Sequence, residues 1–186
     1  MAQKVQVNGN LKLKGVRFAF ANVYTPTKYK ETDEAKYNVI ILLPKDHPQI
    51  AEINKTIAAI EAELAAKVWK NGKKPKDFES PLRDGDEKED YAGFAGNVYL
   101  SAKSKSKPQV IDKAAKAITE ESGEFYSGCI GSVTVNLYPY SDGGGIAVGL
   151  NNILKTADGE RFAGKRDAAA DFADDIEEDD ADGLLG

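Results

Sequence analysis

Residues Leu11–Tyr24 read LKLKGVRFAFANVY, and the alternation of this stretch decides what kind of sheet the chain builds. Successive side chains of a strand face opposite ways. Leu11, Leu13, Gly15, Arg17, Ala19, Ala21 and Val23 then share one face, which is mainly aliphatic and small. Lys12, Lys14, Val16, Phe18, Phe20, Asn22 and Tyr24 share the other, which is basic and aromatic. A half-buried strand ordinarily opposes apolar to polar. Here the opposition is between apolar residues and cations mixed with rings. Cations track phosphates while rings stack on bases, so such a face suits a single-stranded nucleic acid. The plainer reading puts Phe18 and Phe20 in the core and leaves the lysines solvated. A bulge at Gly15 would exchange the two faces beyond it.

Working outward, Thr25–Ala35 contains Pro26 and a polar cluster and reads as a loop, with Lys28, Tyr29 and Lys30 at its tip. Tyr37–Leu43 (YNVIILL) is a nearly continuous apolar run, expected to be a central strand ended by Pro44. Ile50, Ile53, Ile57, Ile60, Leu64 and Val68 then recur at intervals of three and four. That stripe predicts a long helix from about Pro48 to Lys70, with Asp46 as N-cap and Asn71-Gly72 at its close. Gly96–Lys105 repeats the two-faced pattern, with Val98, Leu100 and Ala102 opposing Tyr99, Ser101, Lys103 and Lys105. Gln109–Ile111 reads as a short strand or turn and Asp112–Thr119 as a short helix. Ile130–Tyr140 and Ile146–Leu154 alternate on either side of the hairpin turn Asp142–Gly145, with Tyr138 on the polar face. The expected class is mainly β with helices. Five strands in mostly antiparallel order match an OB barrel carrying the long helix as an insertion. An open α+β sheet with the helix on one face is the alternative.

The chain has 186 residues, 41% of them hydrophobic, enough for one domain with a packed core. Its net charge of −5 conceals a split. Residues 167–186 hold nine acids and no base, which leaves 25 bases against 21 acids, a net of +4, in residues 1–166. Before Glu31 stand six bases (Lys4, Lys12, Lys14, Arg17, Lys28, Lys30) and no acid. Residues 1–166 are therefore read as the binding domain. Residues 167–186 are read as an acidic tail expected to stay disordered, its large apolar residues being only Phe172, Ile176, Leu184 and Leu185. A basic body with an acidic tail points to a polyanionic ligand with which the tail competes. No apolar run follows Met1 and no stretch approaches membrane-spanning length, so a soluble chain with no membrane partner is expected.

Catalytic chemistry finds little support. A hydrolytic triad needs His, and the single His47 stands beside Pro48 without a nucleophile motif. The single Cys129 enters an apolar strand and reads as a small buried hydrophobe. Asp84 and Asp86 look like the start of a calcium loop, but the later ligands lack the spacing. No enzyme activity, metal or cofactor is expected.

Several blocks carry a family likeness: Gly15-Val16-Arg17-Phe18, Lys36-Tyr37-Asn38-Val39, Pro81-Leu82-Arg83-Asp84-Gly85-Asp86, the run Ser104–Asp112, Tyr126-Ser127-Gly128-Cys129 and Gly149-Leu150-Asn151-Asn152-Ile153. With these blocks in this order over roughly residues 10–165, the chain resembles the single-stranded-DNA-binding proteins of tailed bacteriophages, a family once known only as a domain of unknown function and assigned an OB fold. The first strand departs from the family pattern in carrying Phe20 and Ala21 before Asn22, so the resemblance does not assign the stacking rings. It implies coating of exposed single strands in replication or recombination, in the host cytoplasm. Phosphates are then expected on Lys12, Lys14, Arg17, Lys28, Lys30, Lys103 and Lys105, although strict alternation places Arg17 on the core side. Bases are expected on Phe18, Phe20, Tyr24, Tyr99 and Tyr138. Replication or recombination proteins are the expected partners of the tail, and a homo-oligomer is compatible with the reading. A phage assembly or interaction protein acting through its tail stays open, as does a metal-dependent nuclease.

Overall fold

The computed structural model describes residues 6–28 and 30–162. Its elements are strand β1 (Asn10–Thr27), β2 (Lys36–Pro44), helix α1 (Ile50–Lys67), β3 (Arg83–Asp84), β4 (Asn97–Ser104), β5 (Gln109–Ile111), β6 (Ile130–Pro139) and β7 (Ile146–Ala157). β1 pairs antiparallel with both β2 and β6, β2 with β4, and β6 with β7. β7 then meets β4 in parallel, Ala102 beside Val148 and Lys103 beside Gly149. That pairing closes β1-β2-β4-β7-β6 into a five-stranded barrel, the OB plan expected from the element order, and excludes the open sheet. β3 and β5 flank it on β4 and β7.

β1 belongs to two neighbours at once and is bent to do so. Its pairing with β6 gains one residue between Leu13 and Val16, where Gly15 has φ +64°. A left-handed backbone is open to glycine without a steric cost, so the bulge forms there. It exchanges the faces: Leu11 and Leu13 are buried before it, Val16 and Phe18 after it. Phe18 is consequently fully buried, its ring 5.2 Å from that of Phe125. The expectation that Phe18 stacks on bases is corrected by this one-residue insertion. The bulge also frees backbone groups of β1, and the Gln49 side chain takes them: its Nε2 donates to the Lys12 carbonyl (2.8 Å) and its Oε1 accepts the Lys14 N–H (2.7 Å). Backbone groups that leave a ladder need other partners, and here a residue ahead of α1 supplies them.

The apolar stripe of α1 docks as expected. Ile53, Ile57, Ile60 and Leu64 are buried and form one cluster with the barrel interior, including Leu13, Val39, Ile41, Leu100 and Val133. The helix is shorter than predicted at both ends. Gln49, not Asp46, is the N-cap, and it makes no side-chain cap bond. The chain closes beyond Lys67 in a tight turn at Lys70–Gly72, with Asn71 and Gly72 both at positive φ. Trp69 Nε1 donates to the Gly143 carbonyl (2.8 Å), tying this end to the β6–β7 hairpin. No helix forms at Asp112–Thr119. The Asp112 carboxylate accepts the N–H groups of Ala114 (2.8 Å) and Lys116 (3.0 Å), and the chain folds back so that Ile118 N–H reaches the Val110 carbonyl (2.8 Å). An aspartate that satisfies the next backbone donors favours a turn over a helix.

Because Phe18 fills the barrel, Phe18→Ala should lower unfolding stability by about 3–5 kcal/mol, read as a shifted urea midpoint with an unchanged slope. Phe20→Ala, two residues on but 37% exposed, should cost much less.

Candidate nucleic-acid interface

Outside the barrel, β1, β2 and β4 carry a second small apolar cluster. Ala19, Leu42, Phe94 and Tyr99 are buried in it, with Ile40 and Phe162 packed against them. This explains the continuous apolar run of β2: Val39, Ile41 and Leu43 face the barrel interior while Ile40 and Leu42 lie under the outer cluster.

Phe94 comes from the segment between β3 and β4, and its position rests on local chemistry. Gly85 is buried, and a Cβ there would meet the Phe94 carbonyl oxygen at 2.1 Å. Asp84 accepts the Asp86 N–H (3.0 Å), and Asp86 accepts the Gly96 N–H (2.7 Å). Lys45 bridges the two carboxylates, 3.2 Å from Asp84 and hydrogen-bonded to Asp86. The Gly96 N–H, and next the Lys45 ammonium, hold the Asp86 carboxyl below the usual carboxylate range. The pair that looked like a calcium loop is a clamp on both ends of a loop. Among the described residues no three His, Cys, Asp or Glu side chains gather as a metal cluster.

Above the outer cluster lies a groove of about 840 Å³. Phe20, Tyr91, Phe94 and Tyr99 line it, and so do Lys28, Lys36, Arg83, Lys88, Lys103 and Lys105. The rings form one network: Phe20 to Tyr91 5.3 Å edge-on, Phe20 to Phe94 6.0 Å, Tyr91 to Phe94 5.7 Å and Phe94 to Tyr99 5.2 Å. Asp33 and Glu34 stand at the groove too, and Glu34 pairs with Lys105 at 3.2 Å with both side chains mostly in water. Such a pair is weak and readily exchanged for another anion. Phe20 has φ +47°, a left-handed backbone at a bulky residue, beside a second register shift between Ala19 and Asn22. Strain of this kind concentrates at functional positions, and here it accompanies a ring that lines the groove instead of the barrel core.

The predicted residues therefore divide. Phe20, Lys28, Tyr99, Lys103 and Lys105 meet in the groove, Tyr99 as a floor residue only 4% exposed. Arg17 is turned off the core by the Gly15 bulge, but its guanidinium is occupied. It donates to the carbonyls of Gly128 (3.2 Å) and Glu160 (2.8 Å) and lies 4.2 Å over the Phe162 ring. The expectation that Arg17 holds phosphate is corrected by these interactions. Lys12, Lys14, Lys30, Tyr24 and Tyr138 do not line the groove. Tyr24 donates its hydroxyl to the Ile118 carbonyl (2.8 Å), and burial, with Glu120 next, pushes its phenol up to about 12. Lys36, Arg83, Lys88, Tyr91 and Phe94 were missed. The signal available was two rings, Tyr91 and Phe94, in a glycine-bearing polar loop that had no core of its own to fill.

The chain leaves the barrel along the same face. Phe162 N–H donates to the Ser127 carbonyl (2.9 Å), and the Phe162 ring fits against Gly93, where a Cβ would come within 2.3 Å. Upstream, Lys155 pairs with Asp158 at 2.6 Å. The acidic stretch 167–186 lies outside the described residues.

Comparison with known proteins agrees with this architecture. A family model described as the ssDNA-binding protein of Enterobacter phage Enc34 matches residues 9–183. Protein p50 of Acyrthosiphon pisum secondary endosymbiont phage 1 is 36% identical over 184 residues, covering 94% of this chain and 98% of the relative. The structure of the single-stranded DNA-binding protein from bacteriophage Enc34 in complex with ssDNA is similar in fold, with a TM-score of 0.70 at 24% identity over 86% of this chain and 96% of the other. That of gp2.5, a single-stranded DNA binding protein encoded by bacteriophage T7, matches with a TM-score of 0.50 at 18% identity over 88% and 94%.

The clamp under the groove has a titration signature. Asp86 is held below its usual range, so its contribution is present at neutral pH and is lost only as pH falls through that lowered value. Hydrogen exchange should show the Gly96 amide protected down to mildly acidic pH, and Asp86→Asn should expose it at pH ~7. Equal protection in both proteins would mean the loop is held by Phe94 alone.

Proposed function

This chain belongs to the Enc34 ssDNA-binding family, and from that premise we propose that it coats single-stranded DNA without reading its sequence, during phage DNA replication or recombination in the host cytoplasm. It acts by binding and not by catalysis. The observation that supports this most is the groove itself, in which four rings and six cations converge on the outer face of β1, β2 and β4. Bases stack on Phe20 and Tyr91, over the floor made by Phe94 and Tyr99, while the six cations neutralise phosphates. Every base has a π-face and every nucleotide a phosphate, so affinity comes without base preference. The face is also the one through which OB barrels take oligonucleotides.

The acidic tail fits as an internal competitor. Phe162, the last described residue, packs on the cluster that floors the groove. A tether of that length holds its nine acids at an effective concentration of about millimolar, and ssDNA must displace them. Once displaced, the tail with its terminal Leu184-Leu185 is free to engage replication or recombination proteins.

Binding of oligo-dT, followed by fluorescence anisotropy, tests the reading. Phe20→Ala and Tyr91→Ala should each weaken binding by about 1–3 kcal/mol, the usual loss of a base–aromatic stack, with folding retained. Lys103→Ala and Lys105→Ala should each flatten the slope of log affinity against log salt by about 0.7 per phosphate no longer neutralised. Unchanged affinities in all four would remove the groove from the function. Deleting 167–186 should tighten binding at low salt and make little difference at high salt, where screening silences the tail. Equal affinity at the lowest salt would sink the competition.

A further inference from the structure

A second hollow lies away from the groove, where β1, β6 and β7 of the barrel meet the flanking β5. Registration places Lys12 beside Thr134, Thr134 beside Asn152 and Asn152 beside Gln109, a transverse row across four strands. The next row sets Ser132 beside Leu154 and Leu154 beside Ile111. Side chains in register share a face. The two rows surround a shallow pocket of about 170 Å³ whose lining is mostly apolar, with Lys12 at its rim. Thr134 and Asn152 also line a larger polar hollow of about 540 Å³, together with Ser104, Ser106, Lys107 and Asn151. A bulge in β7 makes room for it: one extra residue between Asn152 and Leu150 leaves both Asn151 and Asn152 exposed.

One chain segment links the polar hollow to the groove. Lys103 and Lys105 line the groove while Ser104, Ser106 and Lys107 line the polar hollow, so one short segment serves both. Among the described residues no carboxylate lines either hollow, whereas the groove itself has Asp33 and Glu34. Hydroxyls, side-chain amides and an ammonium are the donors a phosphodiester takes. An apolar floor of Ile111 and Leu154, edged by the Gln109 amide, offers a face for a base. Lys12 and Lys107 are exposed, and no salt bridge occupies either among the described residues.

We propose that these hollows form a second nucleotide-binding subsite, so that single-stranded DNA leaving the groove passes over Ser104–Lys107, sets a phosphate among Ser104, Ser106, Lys107 and Asn151, and lays a base on Ile111 and Leu154 beside Lys12. This rests on the groove being the primary DNA site. It makes the occluded length longer than the groove alone covers, and it lets Lys12 touch DNA on a surface separate from Lys103 and Lys105.

The test compares two oligo-dT lengths on the full chain, one of about five nucleotides and one of about sixteen, the low and high ends of what a single OB fold covers. In a Lys12→Ala, Lys107→Ala double variant the short oligonucleotide should bind as to the parent, within about two-fold. The long one should bind about ten-fold more weakly at low salt, with its salt slope flattened by about 0.7 for each phosphate no longer neutralised. Lys103→Ala with Lys105→Ala should weaken both lengths. Equal weakening of both lengths in the first variant would overturn the subsite, because those lysines would then act on the groove. An unchanged affinity for the long oligonucleotide would also overturn it and leave the hollow to a protein partner. If the parent binds neither length, the primary reading has failed, and that result is distinct from either.

Discussion

The constraint on which the rest depends is that β1 must serve two neighbours around a closed barrel. An 18-residue strand cannot stay regular while it pairs with β6 at one end and β2 at the other. It yields at Gly15 and at Phe20, each with a left-handed backbone and a shift of register, and its register with β2 shifts again between Asn22 and Thr27. The first irregularity sends Phe18 into the barrel and Arg17 out of it. The second accompanies the appearance of Phe20 on the outer surface. One strand thereby contributes both to the largest buried side chains and to the exposed rings, and neither role follows from strict alternation.

The groove depends on that geometry at one remove. Its floor is the outer side of strands whose inner side is the barrel core, so Ile40 and Leu42 are backed by Val39, Ile41 and Leu43. Its wall is a loop with little regular structure, fastened by the Lys45, Asp84 and Asp86 clamp and by the close approach at Gly85. Behind the floor, Phe162 packs on the same apolar cluster, covered by Arg17 and seated against Gly93. Rigid floors with loop walls are a common way to present binding side chains at low reorganisation cost. Arg17 illustrates how a cation in a basic stretch is diverted: a planar guanidinium that can satisfy two carbonyls and cover a ring holds a chain segment better than lysine would.

Charge is distributed on the same plan. The described body carries lysines along both the groove and the outer sheet row, and the nine acids of residues 167–186 follow a segment that ends on the groove's own cluster. A net charge of −5 for the whole chain is therefore a poor guide to its ligand.

Much of this is legible in the chain before it folds. The five barrel strands and the apolar stripe of α1 are readable because periodicity reports directly which face is buried. The charge split is readable because it needs no geometry at all. The two-faced pattern of Gly96–Lys105 sets Tyr99, Lys103 and Lys105 on one surface, and Tyr99 and Lys103 share it in the fold because β4 is regular, with Lys105 just past its end and lining the same groove. Legibility ends wherever a long-range partner chooses the backbone. The Gly15 bulge is visible as an option, but only pairing with β6 and the Gln49 side chain decides it, and with it the fates of Phe18 and Arg17. Asp112 forms a turn where a helix was expected, because its carboxylate meets its own following N–H groups. Tyr91 and Phe94 sit in a segment without period. Nothing local says that a clamp between Lys45 and Asp86, 41 positions apart, turns them toward Phe20. Hydrophobic period and charge are local sums, so the class of fold and the segregation of cations from acids are readable from the chain alone. Which rings and cations share a groove is decided by long-range pairing, because one inserted residue in β1 exchanges its faces and a second register shift near Phe20 exchanges them again.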